Sequence, residues 1–305
     1  MSEPTDEQGN PSVTAPDGRR VEFRVTGPPD GLPLVFHHGA PGAAVPFGPL
    51  EDAAVERGLR VVTLSRPGYG NSDPLPEGTA PGTVSGTAAD TRLVLDELGA
   101  TDFLTLGWSN GAPRALACGA LLADRCRAVA ALSGYAPPGV VGLDPVAGMD
   151  ENSAAEYTAA VQGPEELEAV LGEEVRSMTA AALGTLEEIM ELLRAFLPPV
   201  DQAALTGGLA EYVLSGARHA LRQGVVGWRD DDLAVVRPWG FAVEQIDVPT
   251  RIWHGRLDRA VPVAHGEWLA AHVPGARTHL LEPEGHISLL VRLNAMLDDL
   301  VHAAG

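Results

Sequence analysis

Apolar runs alternate with segments of helical periodicity over the first part of the chain. The first run alternates apolar and polar residues, as a half-buried strand does, and the next four are almost wholly apolar, which indicates strands buried on both faces. The predicted strands are Val21–Val25, Leu34–Phe36, Arg60–Leu64, Phe103–Leu106 and Ala128–Leu132. Helices are predicted over Leu50–Arg57, Val84–Leu98 and Ala112–Leu122. This order predicts an α/β fold with a mostly parallel central sheet flanked by helices.

The pattern changes after the fifth strand. Short amphipathic helical segments broken by Gly and Pro follow, at Ser153–Val161, Pro164–Leu171, Glu173–Leu183, Thr185–Phe196 and Leu209–Gln223. The acidic run Asp230 to Asp232 is interpreted as a solvated loop. Strands then resume at Val248–Trp253 and His279–Glu282, with helices at Val263–His272 and Ile287–His302.

This organisation predicts three parts. A core made of residues 13–138 and 237–305 is interrupted by an all-helical cap, residues 139–236, and preceded by a mobile tail, residues 1–12. An insertion of this length is too long for a simple loop and is typical of a lid over a sheet.

Composition excludes several classes of protein. The 305-residue chain has a formal net charge of −20, so a nucleic-acid partner is not expected, because phosphate binding requires a basic face. The polar N-terminus does not resemble a secretory signal, and no apolar stretch approaches the ~18 residues of a membrane span. Cys118 and Cys126 have neither metal-site spacing nor a disulfide framework, which favours a cytoplasmic location and no metal. The oligomeric state, monomer or homodimer, stays open.

A glycine-flanked serine stands where a predicted strand meets a predicted helix. The segment Gly107-Trp108-Ser109-Asn110-Gly111 has the Gly-x-Ser-x-Gly pattern, and strand, tight turn and helix form the context in which such a serine acts as a nucleophile. Glycines let the strand and helix close around the bend, and the helix N-terminus favours a developing negative charge. In a chain with 35 glycines, the pattern alone fits a solvated serine in a glycine-rich turn equally well.

A nucleophilic serine needs a base, and the base needs an orienting carboxylate. His286 is the candidate base, because it lies in a Gly-flanked loop just after the last predicted strand. Asp258 directly follows a strand and precedes His286, so the chain order is serine, acid, base. The remaining candidates are interpreted as packing, surface or loop-supporting groups, namely His37, His38, His219, His254, His265, His272 and His302.

Four segments resemble the motifs of α/β-hydrolases in their usual order. His38-Gly39-Ala40-Pro41-Gly42 resembles the loop after the third strand. Ser65-Arg66-Pro67-Gly68-Tyr69-Gly70-Asn71-Ser72 resembles the Asp-Arg-Pro-Gly-x-Gly-x-Ser segment, with Ser65 in place of Asp. The segment from Trp253 to Asp258 resembles the strand end that carries the acid, and Gly285-His286 resembles the loop that carries the base. The resemblance implies an α/β-hydrolase fold with an inserted helical cap.

It also implies a catalytic triad of Ser109, Asp258 and His286. Acyl transfer creates an oxyanion, which backbone N–H groups stabilise. The N–H of Asn110, next to the nucleophile, is one expected donor. The N–H of Ala40 is the other, by position and by resemblance, since the proline that follows has no N–H.

Four aromatic residues are candidates for an apolar substrate pocket: Trp108, Tyr135, Phe47 and Trp228. Each fits a place in the core equally well.

These observations lead to one main functional expectation and several alternatives. The main one is a serine hydrolase of a small ester, lactone or amide, with a small-molecule substrate and no cofactor. The alternatives are an aminopeptidase similar to proline iminopeptidases, a non-hydrolytic ligand-binding member of the fold, and a perhydrolase side activity.

Overall fold

An eight-stranded sheet runs through the computed structural model, which describes residues 9–76, 82–182 and 197–305. Its strands are β1 Ser12–Thr14, β2 Arg20–Thr26, β3 Leu32–His37, β4 Leu59–Leu64, β5 Phe103–Trp108, β6 Cys126–Leu132, β7 Thr250–Gly255 and β8 Arg277–Leu281. Their order is β1-β2-β4-β3-β5-β6-β7-β8. β1 and β2 pair antiparallel, as does β2 with β4, and all later pairings are parallel. The prediction of a mostly parallel sheet is confirmed.

Helices cover both faces of the sheet. They are α1 Gly48–Val55, α2 Gly86–Glu97, α3 Gly111–Leu121, α9 Val263–His272 and α10 Leu293–Ala303. Alternate residues of one strand point to opposite faces. Leu34 and Phe36 therefore pack with α1 and α10, whereas Val35 packs with α2, α3 and α9.

Within the described residues, every regular element between β6 and β7 is a helix. The helices of this insertion are α4 Glu151–Gln162, α5 Pro164–Ala182, α6 Pro199–Ala204, α7 Gly207–Ala220 and α8 Val226–Val235. Two helices predicted on either side of Gly172 are one continuous helix, α5. The predicted helix Thr185–Phe196 lies outside the described residues. The boundaries of a separate cap at residues 139 and 236 stay a prediction.

Two predictions are wrong. The tail does not extend to residue 12: Ser12 begins β1, and the buried Asn10 side chain donates to Glu22 Oε1 at 2.9 Å and to the Ala44 carbonyl at 2.8 Å. Residues 1–8 lie outside the described part. The acidic run Asp230 to Asp232 is not a solvated loop, because it lies on α8 with all three residues buried. Asp231 and Asp232 have distant partners, Arg66 and Asn110, whereas Asp230 pairs with the adjacent Arg229.

A buried carboxylate on β2 replaces the one that the sequence lacks at position 65. Ser65 Oγ donates to Glu22 Oε2 at 2.7 Å, and His219 Nε2 of α7 lies 2.8 Å from Glu22 Oε1. Both Glu22 and His219 are almost completely buried. The cluster thus joins the sheet to the insertion.

Across the described ranges, none of the helices has both the length and the apolar character needed to cross a membrane.

Candidate active site

The turn after β5 holds Ser109 in the left-handed region, with φ of +57°. Its geometry depends on the flanking glycines. A Cβ on Gly107 would lie 2.2 Å from the Gly111 carbonyl oxygen, and a Cβ on Gly111 would lie 2.0 Å from the His37 carbonyl oxygen. No side chain fits at either position, so the two glycines are what allow the bend to close.

Asp258 and His286 are joined by a hydrogen bond of 2.8 Å between Oδ2 and Nδ1. The loops that carry them follow β7 and β8, which end at the same edge of the sheet as β5. Asp258 Oδ1 accepts from the backbone N–H groups of Ala260 and Val261, at 3.0 and 2.8 Å. Because the carboxylate accepts, Nδ1 of His286 carries a proton and Nε2 is free to act as a base.

The pKa values of this pair shift in opposite directions. Burial would lower the pKa of His286, but the charge of Asp258 and its hydrogen bond outweigh burial and raise that pKa above its usual value. Burial would raise the pKa of Asp258, but the charge of His286 and hydrogen bonds from His254 and His286 hold it well below its usual range. The aspartate is therefore charged at neutral pH, and the histidine is a stronger base than a free imidazole.

Trp108 connects the Ser109 turn to the loop of His286. Its indole N–H donates to the His286 carbonyl oxygen at 3.1 Å. The centroids of the indole and imidazole rings lie 5.3 Å apart. The loop after β3 approaches the same turn, since a Cβ on Gly39 would be 3.3 Å from the Cβ of Ser109. Gly39 thus lies beside Ser109, and Ala40 is the next residue.

Asp201, on α6 of the insertion, was not expected at the site. Its carboxylate accepts from the backbone N–H groups of His286, Ile287 and Ser288, at 3.1, 2.9 and 2.7 Å. It is fully buried, and its charge contributes to the raised pKa of His286. The sequence gives no local signal for this role, because the partners lie 85 to 87 positions away.

A small cavity lies next to the nucleophile turn, between the core and the insertion. It is lined by Asn110, Tyr135, Glu156, Tyr157, Ala160, Asp232, Val235 and Val236. Its volume is about 10 Å³, roughly the space of one water molecule. The cavity is therefore too small to hold a substrate.

Two carboxyl groups of the insertion meet in the wall of this cavity. Asp232 Oδ1 accepts from the Asn110 side-chain amide at 2.7 Å, and Glu156 Oε1 accepts from the indole N–H of Trp228 at 2.7 Å. Burial, and then the charge of Glu156, raise the pKa of Asp232 well above its usual value. Burial also raises the pKa of Glu156, against hydrogen bonds from Asp232 and Trp228. Burial and the proximity of the two carboxyl groups thus favour the protonated form of the pair.

The four aromatic pocket candidates occupy different surroundings. Tyr135 lines the cavity, and Trp108 contacts His286. Phe47 stacks on Tyr212 with ring centroids 4.0 Å apart, inside a buried apolar cluster. Trp228 is buried beside Glu156. A substrate-binding role for these residues stays a prediction.

The other buried histidines have supporting contacts. His265 Nδ1 accepts from the Ala136 N–H, and its Nε2 donates to the Pro145 carbonyl. Burial lowers the pKa of His265 to about 4. Burial and the nearby arginines lower the pKa of His37 to about 3. His254 donates to the Val261 carbonyl at 2.7 Å. These contacts agree with packing and loop-supporting roles.

Both cysteines are buried and free. Within residues 9–76, 82–182 and 197–305, no three His, Cys, Asp or Glu side chains are grouped so that they could hold a metal ion.

Comparisons with known proteins agree with this architecture. A family model described as alpha/beta hydrolase fold matches residues 33–171. The chain is 25% identical over 297 residues to a non-heme haloperoxidase of Rhodococcus erythropolis, which covers 95% of this chain and 98% of the relative. It is 35% identical over 100 residues to a non-heme chloroperoxidase of Streptomyces lividans, which covers 33% of this chain and only 35% of the relative.

A solved structure with a similar fold is the enol-lactonase from Burkholderia xenovorans LB400. It matches with a TM-score of 0.68 at 21% identity, over 96% of this chain and 99% of that chain. The sheet order, the helical insertion after β6 and the family match lead to the same conclusion: the chain has the α/β-hydrolase fold.

Proposed function

We propose that the chain is a serine hydrolase that cleaves a small ester, lactone or amide through an acyl-enzyme formed on Ser109. The observation that supports this most is the 2.8 Å hydrogen bond between Asp258 and His286. It lies at the sheet edge where Ser109 is held at φ of +57°. Nucleophilic acyl transfer needs a serine hydroxyl and an imidazole that a carboxylate orients, and both residues follow strands that end at this edge.

The proposed reaction has two halves. Ser109 Oγ attacks the substrate carbonyl carbon while His286 Nε2 takes the hydroxyl proton and then passes it to the leaving group. Water, deprotonated by the same nitrogen, next attacks the acyl-enzyme and releases the acid. Asp258 keeps its charge throughout and stabilises the imidazolium that forms in each half.

The backbone N–H groups of Ala40 and Asn110 are the proposed donors to the oxyanion. Asn110 is the N-cap of α3, where N–H groups point out of the helix. Ala40 follows the glycine that approaches Ser109. Preorganised donors of this kind contribute several kcal/mol, about 3 each, to transition-state stabilisation.

Labelling by a fluorophosphonate tests the nucleophile directly. We expect one adduct, located on Ser109 by peptide mass spectrometry and absent from Ser109→Ala. Ser133 is a matched control, because it also follows a strand with positive φ, of +46°, but is fully buried. Ser133→Ala should label normally. Absence of label on wild-type Ser109 would refute the proposal.

A substrate screen then separates the alternatives. p-Nitrophenyl esters of graded chain length, assayed beside aminoacyl-naphthylamides with wild type and Ser109→Ala, distinguish an esterase from an aminopeptidase. Ligand capture without turnover in either series would favour a non-hydrolytic member of the fold.

A perhydrolase activity is the second candidate, favoured by the similarity to the haloperoxidase of Rhodococcus erythropolis over 95% of the chain. Hydrogen peroxide would replace water in attacking the acyl-enzyme, giving a peracid that oxidises halide. Bromination of monochlorodimedone that requires ester, peroxide, bromide and an intact Ser109 would support it. Bromination that persists in Ser109→Ala would contradict it.

A further inference from the structure

Behind the proposed oxyanion hole, two arginines share one carboxylate. Asp231 of α8 accepts from Arg66 Nε at 2.8 Å and from Arg114 Nη2 at 2.8 Å. All three side chains are at most 4% exposed. One carboxylate cannot pair fully with two buried guanidinium groups. Their burial is costly unless other polar groups accept hydrogen bonds from the remaining N–H groups.

Backbone carbonyls of the loops at Ser109 and Gly39 accept those hydrogen bonds. Arg66 donates to the His38 carbonyl at 2.8 Å and to the Gly39 carbonyl at 3.2 Å. Arg114 donates to the Asn110 carbonyl at 2.6 Å. The Gly39 carbonyl belongs to the same peptide unit as the N–H of Ala40.

That shared peptide unit links the arginine to the oxyanion. Because a peptide unit is planar, a hydrogen bond that fixes the direction of its C=O also fixes the direction of its N–H. A cation on the oxygen polarises the unit and strengthens the N–H as a donor.

We propose that Arg66 and Asp231 are positioning residues for the reaction, with Asp231 holding the Arg66 guanidinium so that it orients and polarises the Gly39–Ala40 peptide toward the substrate oxyanion. The inference rests on the proposed function, since it assigns a purpose to these residues only if acyl transfer occurs at Ser109. It makes the helical insertion part of the catalytic machinery rather than only a cover.

The test uses Arg66→Lys and Asp231→Asn in the full chain. Lysine keeps the positive charge for Asp231 but cannot reach the carboxylate and both carbonyls at once. Asp230→Asn is the matched control, because Asp230 lies on the same helix and contacts Arg229 instead. Thermal melting identifies the variants that fold. If Asp231→Asn does not fold, Arg66→Lys decides.

The readouts are kcat, KM and inhibition by an aryl boronic acid, which forms a tetrahedral anion on a reactive serine. For folded Arg66→Lys we expect kcat and boronate affinity each to fall about 10- to 100-fold, less than the loss of a whole oxyanion donor. KM should stay within about threefold, and Asp230→Asn should match wild type. A purely structural role would not lower boronate affinity in step with kcat.

Unchanged kcat and boronate affinity in folded Arg66→Lys would overturn the inference, as would a change confined to KM. Fluorophosphonate labelling of the wild type separates the two proposals. If Ser109 is labelled and Arg66→Lys turns over normally, only the positioning role fails. If Ser109 is not labelled, the proposed function fails and the inference fails with it.

Discussion

The sheet edge and the helical insertion supply the same site in different ways. At the sheet edge, Ser109, Asp258 and His286 lie in loops that directly follow β5, β7 and β8, so the strands set their positions. In the insertion, Asp201 and Asp232 lie on short helices and obtain their roles from partners far away in the chain.

The difference shows what each region controls. The sheet edge carries the groups that, in the proposed reaction, attack the substrate and transfer protons. The insertion carries the carboxyl groups of Asp201 and Asp232. Asp201 accepts from the backbone of the His286 loop and contributes to the raised pKa of His286, and Asp232 accepts from the Asn110 side chain. Changes at the sheet edge should therefore abolish the reaction, whereas changes in the insertion should alter its rate, its pH dependence or the stability of the fold.

The largest effect is expected from Ser109. Both Ser109→Ala and Ser109→Gly should lower kcat by about 10⁴-fold or more, because the nucleophile is lost. Their stabilities should differ: glycine tolerates the positive φ of this residue, so Ser109→Gly should unfold with a free energy about 1 kcal/mol higher than Ser109→Ala. Steady-state kinetics and urea unfolding measure the two quantities. Equal stability of the two variants would show that the turn is not strained.

Asp258→Asn should lower kcat by about 10³- to 10⁴-fold and move the pH profile. The base must be neutral to act, so wild-type kcat/KM should rise with pH through the His286 pKa, which lies above its usual value. Removing the aspartate charge leaves burial, which lowers that pKa, so the acid limb should move to lower pH. A limb that moves to higher pH would contradict the assignment of Asp258 as the partner.

Asp201→Asn tests the insertion. Asparagine has a single acceptor oxygen, so it can accept from Ile287 and Ser288 but not also from the His286 N–H that Oδ2 now receives. It also removes a charge that raises the His286 pKa. We expect about a tenfold loss of kcat/KM, a small shift of the acid limb to lower pH, and a loss of about 1 to 3 kcal/mol in unfolding free energy. Wild-type kinetics in this variant would show that the insertion does not position the base.

Asp232→Asn should have the smallest effect on rate and a distinct effect on stability. The folded-state pKa of Asp232 is raised, so its stabilising contribution is present below the unfolded pKa and is lost as pH rises through the folded value. Asparagine can make the same contacts without titrating. Between pH 5 and pH 9, the melting temperature of Asp232→Asn should therefore fall less than that of the wild type. The difference should be about 2 °C for each kcal/mol of stabilisation that the variant retains. If the melting temperatures of the variant and the wild type changed equally with pH, that result would argue against a proton shared by Asp232 and Glu156.

Most of the sheet could be predicted from the sequence because its signals are local. The buried strands are nearly continuous apolar runs, and Gly107 and Gly111 mark the only kind of residue that the turn admits. Asp258 and His286 could be chosen as candidates, in this order, because each lies in a loop just after a predicted strand. Gly172 illustrates a limit, since a glycine inside a helix costs about 1 kcal/mol but need not end it.

The contribution of the insertion could not be predicted, because its polar residues are explained only by distant partners. Three consecutive aspartates on α8 suggest exposure, but Asp231 accepts from Arg66 and Arg114, and Asp232 accepts from Asn110. Asp201 has no sequence neighbour that reveals its contact with the base loop. Burial of a charge depends on tertiary pairing, which a pattern of apolar and polar positions does not contain.

The transfer of a carboxylate from position 65 to Glu22 has a consequence for related sequences. Glu22 already occupies the space next to position 65, since its Oε2 accepts from Ser65 Oγ at 2.7 Å. Homologues with Asp at position 65 should therefore lack an acid at position 22, and the two positions should vary together across the lineage.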